Sequence, residues 1–404
     1  VDVLEINDIA LRLHRNEQCF EHQCVILEQG SALLFNAQAL SARRLYPRHC
    51  ASTYWQYLSL EQGRQIGGFR HPADLAHQQL LAMAEQFGPS PVLLAVPASF
   101  GEAQLSLLLG ILRETPWQVQ GMINQALACL AEQAESGSHA HLELHAQQVL
   151  LTQLQADADI GVTSYQHFSA LGWDNLHEHI MRHLTRRFIQ EQRFDPMHRG
   201  ETEQAMYEWT QAVCSGQANN ELVIANKVLR LDGQEISELI CQFFIPLQRA
   251  LESQQANLWL SPRLAALPGL ADLLKNAKCL SLNAAIAACK YVSPSPDSQA
   301  IPLIDSLPRT SQSTRLAWPT HILFQDHALP LTAGGYGWQN HRLTHMSDSP
   351  AFLLNRQDSG FVLVANAPWQ ARSVRTDGLL RLGDEITLCQ GEQQHQLRFI
   401  RVLP

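Results

Sequence analysis

PVLLAVPASFGEAQLSLLLGILRETPWQVQGMINQALACL (91–130) decides the fold class. Residues 92–96 are an unbroken apolar run, the pattern of a strand buried on both faces. The run feeds an apolar helical stretch, with Ser99 and Glu102 spaced as a capping box ahead of it. A second extended run, WQVQGMIN, feeds a second helix, QALACLAEQ. Strand then helix, twice over, predicts an α/β protein. At the second junction stand two neutral amides, Asn124 and Gln125. A Gln at that point reads either as packing or as a carboxylate made neutral.

Working outward, residues 1–35 alternate like a small antiparallel set, with VDVLEI, IALRLH, CVILEQ and ALLF as strands. Helices are expected over 37–46, stopped by Pro47, and over 72–87. Beyond the SGS break at 136–138, HLELH, QQVLLTQLQ and DIGVTSYQHF read as strands, and 173–192 and 199–214 as helices. In 234–254, Ile236, Leu239, Ile240, Phe243, Phe244, Leu247 and Leu251 fall on one helical stripe, with Asp232 and Glu235 placed to cap it. A short strand at 258–260 and helices at 269–276 and 284–289 follow. Residues 293–319, rich in Pro, Ser, Gln and Thr, have the composition of a linker. HILFQD, AFLLN, FVLVAN, GLLRLGDEITLC and HQLRFIRVL then predict an all-β module.

The bulk properties narrow the function. The 404 residues are enough for two or three domains. A net charge of −9 argues against nucleic acid or an anionic membrane as partner. Lys occurs only at 227, 275, 278 and 290, so the first half has no ammonium to place on a phosphate. The nine Cys are scattered, with no C-x-x-C, which points to a reducing cytosol. No apolar run nears the roughly 20 residues of a membrane span, and no signal pattern opens the chain.

The order of strands and helices resembles the actin-like ATPase superfamily, and within it the DnaK-type heat-shock chaperones. AVPASFGEAQ (95–104) is similar to the family's V-P-A-x-F-x-x-x-Q segment. MINQALACL is similar to its I-N-E-P-T-A-A-A helix start, and ALGWDNLHEHIMRHL (170–184) to its L-G-G-x-D-F-D segment. LFNAQALSARRLYPRHCASTYWQYLS (34–59) and RLAALPGLADLL (263–274) complete the set. The resemblance implies a two-lobed actin/ribonuclease-H-like ATPase fold over 1–292, with lobe I about 1–137 and lobe II about 138–292. A linker at 293–319 and a β-sandwich at 320–404 follow. In GFVLVANA and LRLGDEITL the tail resembles forkhead-associated domains.

The family holds ATP between two glycine-rich hairpins, because phosphate must approach backbone N–H groups closely. Here the first hairpin motif reads Glu5-Ile6-Asn7-Asp8-Ile9-Ala10. The second reads Glu143-Leu144-His145-Ala146-Gln147-Gln148-Val149-Leu150. The glycines are gone from both. The family's Lys falls near Tyr57, its catalytic Glu is Gln125, and its adenosine turn is Ser261-Pro262-Arg263. A Gln can orient water but cannot act as a general base near neutral pH. The expectation is a pseudo-ATPase scaffold or adaptor that binds a protein partner, with no catalytic set and no cofactor. The degenerate positions are Glu5, Tyr57, Gln125 and Glu143. Asn7, Asp8, His145, Gln147, Ser261 and Arg263 are the weak cofactor-binding candidates. The alternative is an ATP-binding regulator in which Glu5, Asp8, Glu143 and Gln125 surround magnesium and phosphate. A second alternative is phosphopeptide reading by the tail, where Arg342, His345, Ser347 and Ser349 fall in the right region without the usual spacing.

Three further stretches carry weaker signals. His179 and His183, four apart with His177 nearby, read as a helix face rather than a metal site. Gly334-Gly335-Tyr336-Gly337 reads as a flexible loop. Tyr54-Trp55-Gln56-Tyr57 reads equally as a partner anchor or as core.

Overall fold

The computed structural model describes every residue except 17, 64, 218–219, 292–300, 302, 309–318, 326, 340–341, 347, 358–359, 373–378, 381–382, 392 and 401–404. The chain forms two compact units, Val1–Arg309 and Thr310–Pro404.

The first unit is a mixed α/β structure on two six-stranded sheets. Its first half runs β1 (Asp2–Glu5), β2 (Ala10–Arg15), β3 (Gln18–Gln23), β4 (Ile26–Gln29), β5 (Ala32–Phe35), α1 (Asn36–Leu40), β6 (Cys50–Ala51), α2 (Pro72–Phe87), β7 (Pro91–Val96), α3 (Glu102–Arg113), β8 (Gln118–Asn124) and α4 (Gln125–Leu130). The second half runs β9 (Gly137–Leu144), β10 (Gln148–Ala156), β11 (Asp159–Ser169), α5 (Trp173–Gln192), α6 (Gly200–Cys214), β12 (Glu221–Ile224), β13 (Lys227–Arg230), α7 (Gly233–Leu251), β14 (Asn257–Leu260), α8 (Pro262–Ala265), α9 (Leu270–Leu273) and β15 (Lys278–Cys279). A 3₁₀ stretch, Ala284–Tyr291, precedes β16 (Leu303–Ile304) and β17 (Ser306–Pro308).

The two sheets repeat one plan. The first has order β3-β2-β1-β7-β8, with β1–β2–β3 antiparallel and β7 and β8 parallel to β1. The second has order β11-β10-β9-β14-β15, with β9–β10–β11 antiparallel and β14 and β15 parallel to β9. Alternation along each strand splits the core into layers. Leu4, Val92 and Leu94 pack outward under α2 and α3, whereas Val3, Leu93 and Ala95 pack inward. The inward layer holds α4, the 3₁₀ stretch, and Leu154, Ile160 and Trp259 from the second sheet. α5, α6 and α7 cover the second sheet's other face.

Several expectations need correction. The helix expected over 37–46 ends at Leu40, and Arg43 and Arg44 beyond it are held across the molecule by Asp174, Glu178 and Glu203. QCFEHQ, not foreseen as a strand, is β3, and the hairpin β12–β13 was also missed. The bond at the helix start falls two residues later than Ser99–Glu102 and is only half a capping box: the Gly101 N–H donates to Gln104 Oε1 at 3.2 Å, and Gly101 has no side chain to accept in return. Asp232 caps α7 as expected, accepting from the Gln234 N–H. Glu235, by contrast, binds His183 and Arg187. The 269–276 helix shrinks to α9, and 284–289 is 3₁₀. Residues 303–304 and 306–308, expected in a linker, are strands: β16 joins β8, and β17 joins β11. Buried Leu307 and half-buried Ile304 anchor them in the inward layer. The rest of 293–319, apart from Ile301, Asp305 and Pro319, lies outside the described residues.

The second unit has two antiparallel sheets that share one apolar cluster, including Ile322, Tyr336, Phe352, Leu388 and Phe399. The stretch expected to be a flexible glycine loop is the strand Gly334–Gln339. A Cβ on Gly334 would stand 2.5 Å from the His345 ring, and one on Gly335 the same distance from the Met346 carbonyl. The glycines therefore admit the neighbouring chain. Arg381 and Leu382 of LRLGDEITL, and the end of HQLRFIRVL, fall outside the described residues.

Candidate functional site

The β1–β2 turn and the β9–β10 turn meet directly. Asn7 Oδ1 accepts from the Ile9 N–H at 2.9 Å, an Asx turn that shapes the first loop. Its Nδ2 donates to Glu143 Oε1 at 2.9 Å and to the Leu144 carbonyl at 3.1 Å. Asp8 Oδ1 accepts from the Ala146 N–H at 2.9 Å and lies 3.0 Å from His145 Nδ1. His145 Nε2 stands 3.4 Å from Glu143 Oε2. Asn7, Asp8, Glu143 and His145 are all buried.

The start of α5 closes the second turn from behind. Gly172 lies so near that a Cβ would sit 2.2 Å from the Gln147 carbonyl carbon. The Trp173 and Asp174 N–H groups donate to the His145 and Ala146 carbonyls at 2.9 and 2.8 Å. Amides that elsewhere receive an anion at a helix start are thus engaged by the turn. Gln147 reaches away, donating to Asp174, which also holds Arg43 through two bonds of 3.0 and 2.8 Å.

Each acid of the cluster is matched by a protein cation. Glu5 Oε2 lies 3.3 Å from His14 Nε2 and 3.6 Å from Arg12. Arg12 also binds Glu21 at 2.7 Å, directly opposite it in the β2–β3 register. Arg263, at the start of α8, binds the same Glu21 oxygen at 2.8 Å and so ties the second sheet to the first. Burial alone would favour a neutral His145. Asp8 and Glu143 on either side outweigh it and raise its pKa to about 10. Burial acts the same way on His14, and bonds to Cys19 and Glu5 outweigh it, raising that pKa to about 10 as well. Burial pushes the Glu143 pKa up, but His145 beside it holds it below the usual carboxylate range. For Glu21, Arg263 and Arg12 overcome burial and bring the pKa down to about 2.

Two cavities flank the cluster. One of about 490 Å³ is lined by Arg12, Glu21, Trp173, Pro262 and Arg263, among others. Another of about 220 Å³ includes Asp8, Gln56, Tyr57, His145 and His167 in its wall.

The structure thus brings together Glu5, Asn7, Asp8, Glu143 and His145, with Arg263 joining through Glu21. Tyr57 is exposed at a cavity wall. Ser261 donates its N–H to the Leu142 carbonyl, and its buried hydroxyl has no partner among the described residues. Asn124 caps α4, accepting from the Ala126 and Leu127 N–H groups at 3.0 and 3.4 Å. Gln125 is buried next to it, with Oε1 unpartnered among the described residues. Arg12, His14 and Glu21 escaped the sequence reading. For Arg12 and His14 the signal was present in the polar residues alternating with leucines in ALRLHR, but Glu21 and its pairing with Arg12 needed the register of a strand not foreseen.

The other stretches resolve separately. Tyr54 and Trp55 are buried and both donate to Gln79 Oε1, at 2.6 and 2.7 Å, so they are core. His177 is buried against Trp173 and Tyr207, His179 lies on Phe243, and His183 pairs with Glu235. In the tail, Arg342 is exposed and His345 packs on Tyr336. Ser349 is exposed, and Ser347 lies outside the described residues.

No protein-family model matches the chain, and no curated protein sequence is detectably similar to it.

Proposed function

We propose that residues 1–309 are a two-lobed fold of the actin-like, DnaK-type kind whose nucleotide site has become a structural joint. The protein then serves as a non-catalytic scaffold or adaptor for a protein partner. The repeated strand order of the two sheets supports the fold reading: a three-stranded antiparallel meander is followed by two parallel strands, twice. One observation carries the functional reading. The turns that would enclose phosphate bond to each other, Asn7 to Glu143 and Asp8 to His145 and Ala146. Glu5, Asp8 and Glu143, which would surround magnesium, already face His14, Arg12 and His145. A metal–triphosphate does not fit this set, because it would have to break buried charged bonds. Gln125 supplies no base. The tail is read as a forkhead-associated-like sandwich used for protein contact.

Calorimetric titration of the full chain with ATP and magnesium tests the reading. The expected result is no binding tighter than roughly 10 μM, about −7 kcal/mol. Tighter binding would restore the ATP-dependent alternative.

A further inference from the structure

Residues 163–169 of β11, TSYQHFS, form an open sheet edge. On the inner side β11 pairs with β10 from Ile160 to Ser169, with a bulge at Thr163. On the outer side β17 covers only Asp159–Gly161, and the Val162 N–H donates to the Asp305 carbonyl at 3.0 Å. Among the described residues no strand pairs with the outer side from Thr163 to Ser169. Thr163 through His167 are exposed as well, so both faces of this edge are uncovered. Natural edges are blunted by Lys, Pro, bulges, inward charges or a covering element, and here the one bulge stands at Thr163, at the window's first residue. This window contains no Pro and no formally charged residue.

We propose that the window pairs with its own copy in a second chain, antiparallel and centred on Gln166, joining the second sheets of two molecules about a twofold axis. The length of the window fits this occupant. The Val162–Asp305 bond closes it at one end, and at the other the chain leaves the strand through Ala170, at φ 62°. A copy centred on Gln166 sets Ser164 against Phe168 and stays between the Thr163 bulge and Ala170. The chemistry fits too. Within one chain the Tyr165 and His167 rings meet edge-on at 5.5 Å. The proposed register sets each Tyr165 opposite the copy's His167, so four rings gather across the axis. The edge already accepts one antiparallel strand, β17, in the adjoining register. Such a contact is isologous and closes on itself, as dimer interfaces do. It does not depend on how the cleft is read. A strand pair this short buries less than the ~1,600 Å² of a standard interface, which places the expected Kd at about 10–100 μM.

Sedimentation velocity of the full chain, over concentrations bracketing that range, reads the outcome. The wild type is expected to pass from monomer to dimer. Tyr165→Lys with His167→Lys sets like charges opposite each other and should weaken the dimer at least about tenfold. Tyr165→Glu with His167→Lys makes the same positions complementary and should restore it. Thermal melting of each variant checks the fold. A wild type that stays monomeric overturns the proposal and leaves the edge to a strand from a different protein. A double-Lys variant that dimerises like the wild type overturns it in favour of another surface.

Discussion

At the residue scale, His145 is the point where the cleft's chemistry becomes measurable. Its pKa stands at about 10, above the ordinary histidine value. The folded chain therefore keeps a proton that the unfolded chain gives up, and stability must fall as pH rises between the two. His14 shifts in the same direction. Urea midpoints should be highest near neutrality and decline steadily toward pH 10. His145→Gln should lower the midpoint at pH 7 and flatten part of that decline, leaving the share due to His14. A pH-independent midpoint in the wild type would mean that the imidazole is neutral in the fold. How much of this was legible differs residue by residue. The absence of glycine from both turns and of Lys from residues 1–226 was plain in the letters. That Asn7 and His145 bridge the two turns was not, because side-chain partners 136 and 137 positions apart in sequence leave no mark on local spacing.

At the element scale, α7 and the strand at 92–96 were readable because many residues repeat one pattern. Six buried side chains on one face of α7 leave little choice of structure. β3 was not readable: QCFEHQ lacks an apolar alternation and becomes a strand through its pairing with β2. The glycines at 334–335 suggested a loop because their role, admitting His345 and Met346, is tertiary. Gly172 is the clearest element-scale test. It allows α5 to start against the second turn, with a missing Cβ where the Gln147 backbone passes. Gly172→Ala should destabilise the first unit by about 3 kcal/mol, read by chemical denaturation. A loss under about 0.5 kcal/mol would mean that the turn can yield.

At the scale of the whole molecule, the repeated order of strands and helices exposed the α/β character, because order survives where motifs do not. The end of the first unit was hidden. Strands of two and three residues inside a Pro- and Ser-rich stretch carry too little pattern to be seen. Because β16 and β17 extend one sheet each, a chain ended at 309 should melt several degrees higher than one ended at 292, on the order of 1–2 kcal/mol. Equal melting temperatures would mean that the two strands contribute nothing.

The Glu21 bond to Arg12 and Arg263 has a last consequence. On the scaffold reading proposed above, sheets riveted by their own side chains have no fuel-driven swing to time a release, and whatever docks would stay or leave according to how much of each is present.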